Sequence, residues 1–155
     1  MNSYLALKWL HILSSVLLVG TGFGSAFYLY FTNRTGKVSA IATVSRLVVR
    51  ADFWFTTPAI IIQPLSGYAL MQLAGYHYQQ RWLLLTFGLY FLAGLCWLPV
   101  LRLQIKMAKM AEVAFSTNTA LPAQYWRYAR RWELLGYPAF AAMLVIYWLM
   151  VAKPQ

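Results

Sequence analysis

The chain has 155 residues, 61% of them hydrophobic and only 10% charged, with 13 Lys and Arg against 3 Asp and Glu and a formal net charge of +10. A soluble domain of this composition would lack the polar surface to cover itself, so the sequence points to one integral membrane domain, residues 1–155. The single Cys96 excludes an intramolecular disulfide or a cysteine-rich metal cage, and the basic residues punctuate apolar runs without base-stacking aromatics, which argues against nucleic acid as a partner.

A bilayer core about 30 Å thick needs roughly 20 apolar residues in a helix. Four segments satisfy this, 4–30, 52–73, 82–103 and 132–151, and predict an all-α, four-helix membrane bundle. Met1 to Ser3 carries no charge and the apolar run continues to Phe31, so the first segment reads as a retained helix, not a cleaved signal. Arg34, Thr35, Gly36 and Lys37 end that run, and a short amphipathic stretch, 39–50, leads into the second helix. The turn at 75–81 is brief, which makes helices two and three antiparallel neighbours. The third connection is expected to be the longest, with Lys106, Lys109 and Glu112, the polar run Ser116 to Gln124, and then Arg127, Arg130 and Arg131.

Arg34, Lys37, Arg46 and Arg50 flank the first connection, and Arg102, Lys106, Lys109, Arg127, Arg130 and Arg131 flank the third; the other side has only Lys8, Arg81 and Lys153. The positive-inside rule then places both termini and the 75–81 turn on the outer, periplasmic side of a bacterial inner membrane, with the basic connections on cytoplasmic anionic lipid headgroups. Trp9, Tyr76, Tyr78, Trp82, Tyr147 and Trp148 are expected in the outer aromatic belt, and Trp54, Trp126 and Trp132 in the inner one.

At about 100° per residue, Lys8, His11, Ser14, Ser15, Gly22 and Ser25 share one face of helix one. An ionisable group within a membrane is costly unless it is paired or turned inward, so His11 should face the bundle interior. There it serves either as a hydrogen-bonded packing residue or, as a neutral imidazole, as a ligand for haem iron or another borderline metal. Lys8 either snorkels to the headgroups or pairs with an anionic group such as a porphyrin propionate. Gly20 and Gly24 form a GxxxG on the roughly opposite face, a packing surface within the bundle, in a homo-oligomer or against a membrane partner.

Helix two repeats the pattern with Asp52, Thr56, Gln63, Ser66 and Gly67 on one stripe, so two polar stripes can meet inside. Asp52 is placed to pair with Arg46 or Arg50, Pro58 and Pro64 should bend the helix, and Glu133 is an ion-pair candidate beside the last basic cluster. His77 in the outer turn and Met71 at the outer end of helix two are further metal-ligand candidates, which with His11 would make a copper site if all three converged. There is no GxSxG, HExxH, phosphate-binding glycine loop or pair of carboxylates, so hydrolase and nucleotide-binding readings have no support.

Leu7 to Ile12, LKWLHI, with a Lys three places before a His, and the small and aromatic run Gly22 to Tyr30 resemble the opening of HemJ-type protoporphyrinogen oxidases and CopD-like membrane proteins. Thr57 to Leu70, TPAIIIQPLSGYAL, resembles their second helix, and Arg131 to Pro154 their last. Closer still is the resemblance to a bacterial family described only as predicted integral membrane proteins, a domain of unknown function; it covers nearly all of the chain. The HemJ resemblance implies haem b at His11, with Lys8 and Arg50 as neighbouring matches. HemJ proteins carry a Lys after the Trp that opens helix three, where this chain runs from Trp82 to Thr86 without a base, so the implied inheritance is fold and haem ligation, not the oxidase activity. The function expected on this basis is an inner-membrane protein that binds haem b for electron transfer or a redox step. A non-catalytic membrane subunit or packing module, and a copper-handling membrane protein, are the alternatives.

Overall fold

Asn2 starts the first helix by accepting the Tyr4 N–H on its side chain at 3.2 Å, and Gly36 ends it in the left-handed region at φ 67°, where a residue without Cβ is unstrained. The computed structural model describes residues 2–154, which form α1 (Ser3–Thr35), α2 (Val38–Ala51), a π-helical turn (Asp52–Thr56), α3 (Thr57–Leu73), α4 (Arg81–Ser116) and α5 (Ala123–Ala152). No strand occurs among the described residues. By length and composition α1, α4 and α5 can each cross a membrane. The 17-residue α3 continues from the π turn, so that α2, the turn and α3 make one rod.

Every helix outruns the boundary expected from hydropathy. The amphipathic 39–50 stretch is helical and forms the first part of the second rod, and the third connection shrinks to 117–122 because the segments on either side of it are helical. Apolar runs mark the depth of the bilayer, whereas Ala, Met, Gln, Lys and Arg continue a helix well beyond it. At 36 residues α4 is ~54 Å long. Asn118 takes φ 52° and Thr119 N–H bonds back to Ala114 C=O at 2.9 Å, closing α4 and turning the chain into α5.

The π turn has a local cause. Pro58 has no N–H to give to Trp54, and its ring would press on that carbonyl in a regular helix; widening the preceding turn relieves both, and Thr57 N–H bonds to Asp52 C=O across five residues. Within that turn Asp52 and Thr56 both point inward and are buried, while Phe53, Trp54 and Phe55 point out.

α1 packs along the second rod, α5 packs along α4, and α2 joins the two pairs by packing on α4. A core at the basic end takes Leu29 from α1, Ile41 and Val48 from α2, Met107 and Ala111 from α4, and Tyr125 and Trp132 from α5. A smaller core at the other end unites Met71, Trp82, Leu83 and Leu149. Large apolar side chains such as Leu65, Phe91 and Trp148 lie exposed on the outside, the arrangement of a fold whose solvent is hydrocarbon. The aromatic belts need correcting accordingly: Trp82 and Trp132 are buried core residues, because each lies where three elements converge, while Trp9, Trp54 and Trp148 face outward.

Candidate functional site

The two polar stripes meet where α1 lies against α3. His11 Nδ1 is 2.9 Å from Ser66 Oγ, and its Nε2 is 3.3 Å from Gln63 Nε2. Ser14 Oγ donates to Gln63 Oε1, or to the His11 carbonyl at 2.9 Å. Ser66 spends its only proton on the Ile62 carbonyl at 2.7 Å, so it accepts from His11, and the imidazole carries its proton on Nδ1. The Nε2 lone pair then receives the Gln63 amide. Every polar group in this seam finds a partner, as buried polar groups must in a low-dielectric surround.

His11 therefore has the tautomer of a metal ligand whose Nδ1–H is held by a neighbouring acceptor, but its other nitrogen is capped by the Gln63 amide. As packed, the seam does not fit a haem iron: Gln63 stands where the metal would, and the ring lies so close to α3 that a Cβ on Gly67 would be 3.1 Å from its Cε1. The other expected site residues lie apart. Lys8 is exposed, with its ammonium 5.9 Å from the Tyr4 ring, and Arg50 is exposed on α2. His77 is exposed in the turn, whereas Met71 is buried in the smaller core against Trp82. No group of three His, Cys, Asp or Glu side chains able to hold a metal occurs among the described residues. A Cβ added at Gly20 or Gly24 would meet nothing within 4 Å, so this GxxxG does not serve packing within the fold.

Between the two cores the rods part around a chamber of about 460 Å³, lined by α1, the second rod, α4 and α5. Gly22, Gly94 and Gly136 line it, and a Cβ at any of them would meet nothing within 4 Å. The lining is largely apolar and aromatic, with Phe27, Tyr30, Tyr90, Trp97 and Phe140 among its walls. Phe23, Phe27, Phe31 and Tyr137 line it and are also exposed, so it opens sideways between α1 and α5, which touch at few points. One of those points is the stack of Phe23 on Phe140 at 4.7 Å, and another is the hydrogen bond of Ser15 with Tyr147 nearer the termini.

The chamber's polar residues come from its basic end. Asp52 is 2% exposed and accepts from Thr56 Oγ1 at 2.8 Å, with the Gln104 side chain beside the same carboxylate. Its partners are thus neutral groups, not Arg46 or Arg50, both of which lie exposed on α2. Gln104 is buried, and its Oε1 has no hydrogen-bond partner. Glu133 reaches the chamber from α5 and also lines an adjoining cleft with Arg34 and Arg130. The sequence reading missed Gln104 and the chamber itself. A lone amide among apolar and basic residues of a crossing helix was the available signal for Gln104; the chamber needs the relative placement of four rods.

Long apolar helices, an apolar exterior and a hollow interior with a few buried polar groups define a multi-pass integral membrane protein in contact with the lipid bilayer. The chain belongs to the family DUF2269, described as a predicted integral membrane protein, which it matches over residues 5–154. No curated protein matches the chain, and no solved structure does.

Proposed function

We propose that this protein holds a lipid-soluble ligand in the chamber between its two helix pairs, admitting it from the bilayer between α1 and α5. The observation that carries this reading is the 460 Å³ space itself, walled by aromatics and three unfilled glycines; its volume is that of a small-molecule site, not of a packing defect. The chain then acts as a membrane carrier or binding subunit set in a bacterial inner membrane. Its exposed basic residues support a seat on cytoplasmic anionic headgroups, with both termini outside.

Native mass spectrometry of the protein in lipid nanodiscs tests the proposal. The expected result is a bound small molecule that is lost in Gly94→Leu and Gly22→Leu, both of which remain helical by circular dichroism. Identical bound species in wild type and filled variants would overturn it.

A second reading, haem b on His11, draws on the lone pair at Nε2 and on the resemblance of the LKWLHI segment. It requires Gln63 to move aside. The protein purified after growth with ample haem should then show a Soret band that disappears in His11→Ala and persists in Gln63→Ala; absence of the band in wild type removes this reading.

A further inference from the structure

The chain is strongly basic, yet the chamber is lined by two of its three carboxylates, Asp52 and Glu133, and by no Lys, Arg or His. A carboxylate at this depth is expensive unless something compensates it. Glu133 shares an adjoining cleft with the basic residues Arg34 and Arg130. The hydrogen-bond partners of Asp52, Thr56 and Gln104, are both neutral. Beside it Gln104, 4% exposed, presents an acceptor oxygen that nothing in the fold satisfies, and a buried acceptor left alone costs about 1–3 kcal/mol. A carboxylate whose hydrogen-bond partners carry no charge and an acceptor oxygen with no donor, at one end of an aromatic chamber, describe the complement of the missing group: a donor, positive, on an apolar body. Tyr90 and Trp97 in the walls add π faces that favour a cation.

From this geometry we infer that the chamber is selective for amphiphilic amines, whose ammonium N–H groups bind the Asp52 carboxylate and Gln104 Oε1 while the apolar body lies among the aromatic walls. The inference rests on the chamber being a ligand site. A neutral alcohol would satisfy Gln104 but leave the Asp52 charge uncompensated, and an anion would be repelled by it.

Three probes with one aromatic body separate these cases: naphthylethylamine, naphthylethanol and naphthylacetate, titrated against the protein in nanodiscs by quenching of tryptophan emission, with protein-free nanodiscs as the partition control. The amine should bind at least about tenfold more tightly than the alcohol, and the acid most weakly. Asp52→Asn should bring the amine down to the level of the alcohol and leave the alcohol unchanged. Gln104→Leu, which keeps both carboxylates, should weaken amine and alcohol together and provides the second variant should Asp52→Asn fail to fold. Equal binding of amine and alcohol, or a preference that survives in folded Asp52→Asn, overturns the charge selectivity and leaves the chamber reading standing. Binding of none of the three probes overturns both.

Discussion

His11 on α1 and Ser66 on α3 are joined at 2.9 Å, and the bond has one direction only, because the Ser66 proton is already committed to Ile62. The pair fixes the imidazole proton on Nδ1 and ties the two helices together at mid-seam. Ser66→Ala should leave Nδ1–H without an acceptor and destabilise the protein by about 1–3 kcal/mol. Thermal unfolding in mild detergent measures the loss. Nitrogen-15 spectra of labelled histidine should show the Nδ1–H tautomer in wild type and a mixed population in the variant.

Gly67 is what lets the His11 ring lie against α3. Its added Cβ would come within 3.1 Å of His11 Cε1, closer than ordinary side-chain contacts. Gly67→Val should cost about 1–3 kcal/mol by overpacking. Combining it with His11→Ala should recover most of that cost, since the ring is the atom group in the way; a double-mutant cycle on melting temperatures would show the coupling.

This seam was legible in the sequence, because His11, Ser14, Gln63 and Ser66 are polar residues at helical spacing inside runs that are otherwise apolar, and only a partner helix can satisfy them. What each of them bonds was not legible: the choice between metal ligand and packing residue for His11 turns on Gln63 standing at Nε2, a matter of register between two helices. Helix ends were misplaced for a related reason, since hydropathy reports the bilayer and the hydrogen-bonded rod continues through Lys106 or Arg127 without regard to it. The shared placement of two carboxylates was not legible either. Asp52 and Glu133 stand far apart in the chain and line one chamber only because α2 leans on α4 and α5 folds back beside it.

Filling the chamber should stabilise the empty protein. Gly94 sits within α4, where a larger residue gains up to about 1 kcal/mol of helix propensity, and a Cβ there meets no neighbour within 4 Å. Gly94→Leu should therefore raise the melting temperature of ligand-free protein by a few degrees, while abolishing the rise that a bound ligand produces in wild type. Differential scanning fluorimetry with and without added ligand reads both effects.

Tyr125 is fully buried at the basic end, and its hydroxyl donates to Asn33 Oδ1 at 2.7 Å, linking the start of α5 to the end of α1. Asn33 Nδ2 has no partner of its own, so this is the bond that holds the amide in place. Tyr125→Phe keeps the ring and its packing but leaves Asn33 unsatisfied, and should cost about 1–3 kcal/mol. Asn33→Leu in the Tyr125→Phe background should return part of that loss, because it removes the orphaned group along with its cost; urea titration of the two variants would show the difference.

The proposed orientation rests on the same basic end. Arg34, Lys37, Arg46, Arg50, Arg102, Lys106, Lys109, Arg127, Arg130 and Arg131 are all exposed there, whereas the opposite end carries Lys8, Arg81 and Lys153. A bias of this size sets topology during insertion, since each basic residue held near the anionic cytoplasmic surface is worth about 1 kcal/mol. The short turn holding His77 and the hairpin holding Asn118 close opposite ends of α4 and are exposed, which makes them matched reporters. In a Cys96→Ser background, His77→Cys should react with a membrane-impermeant maleimide on bacterial cells whose outer membrane has been permeabilised. Asn118→Cys should react only after the inner membrane is opened by detergent. The reverse pattern would place the basic end outside and reverse the side on which the acidic pole of the chamber lies; labelling of both residues from one side would contradict the crossing of α4 itself.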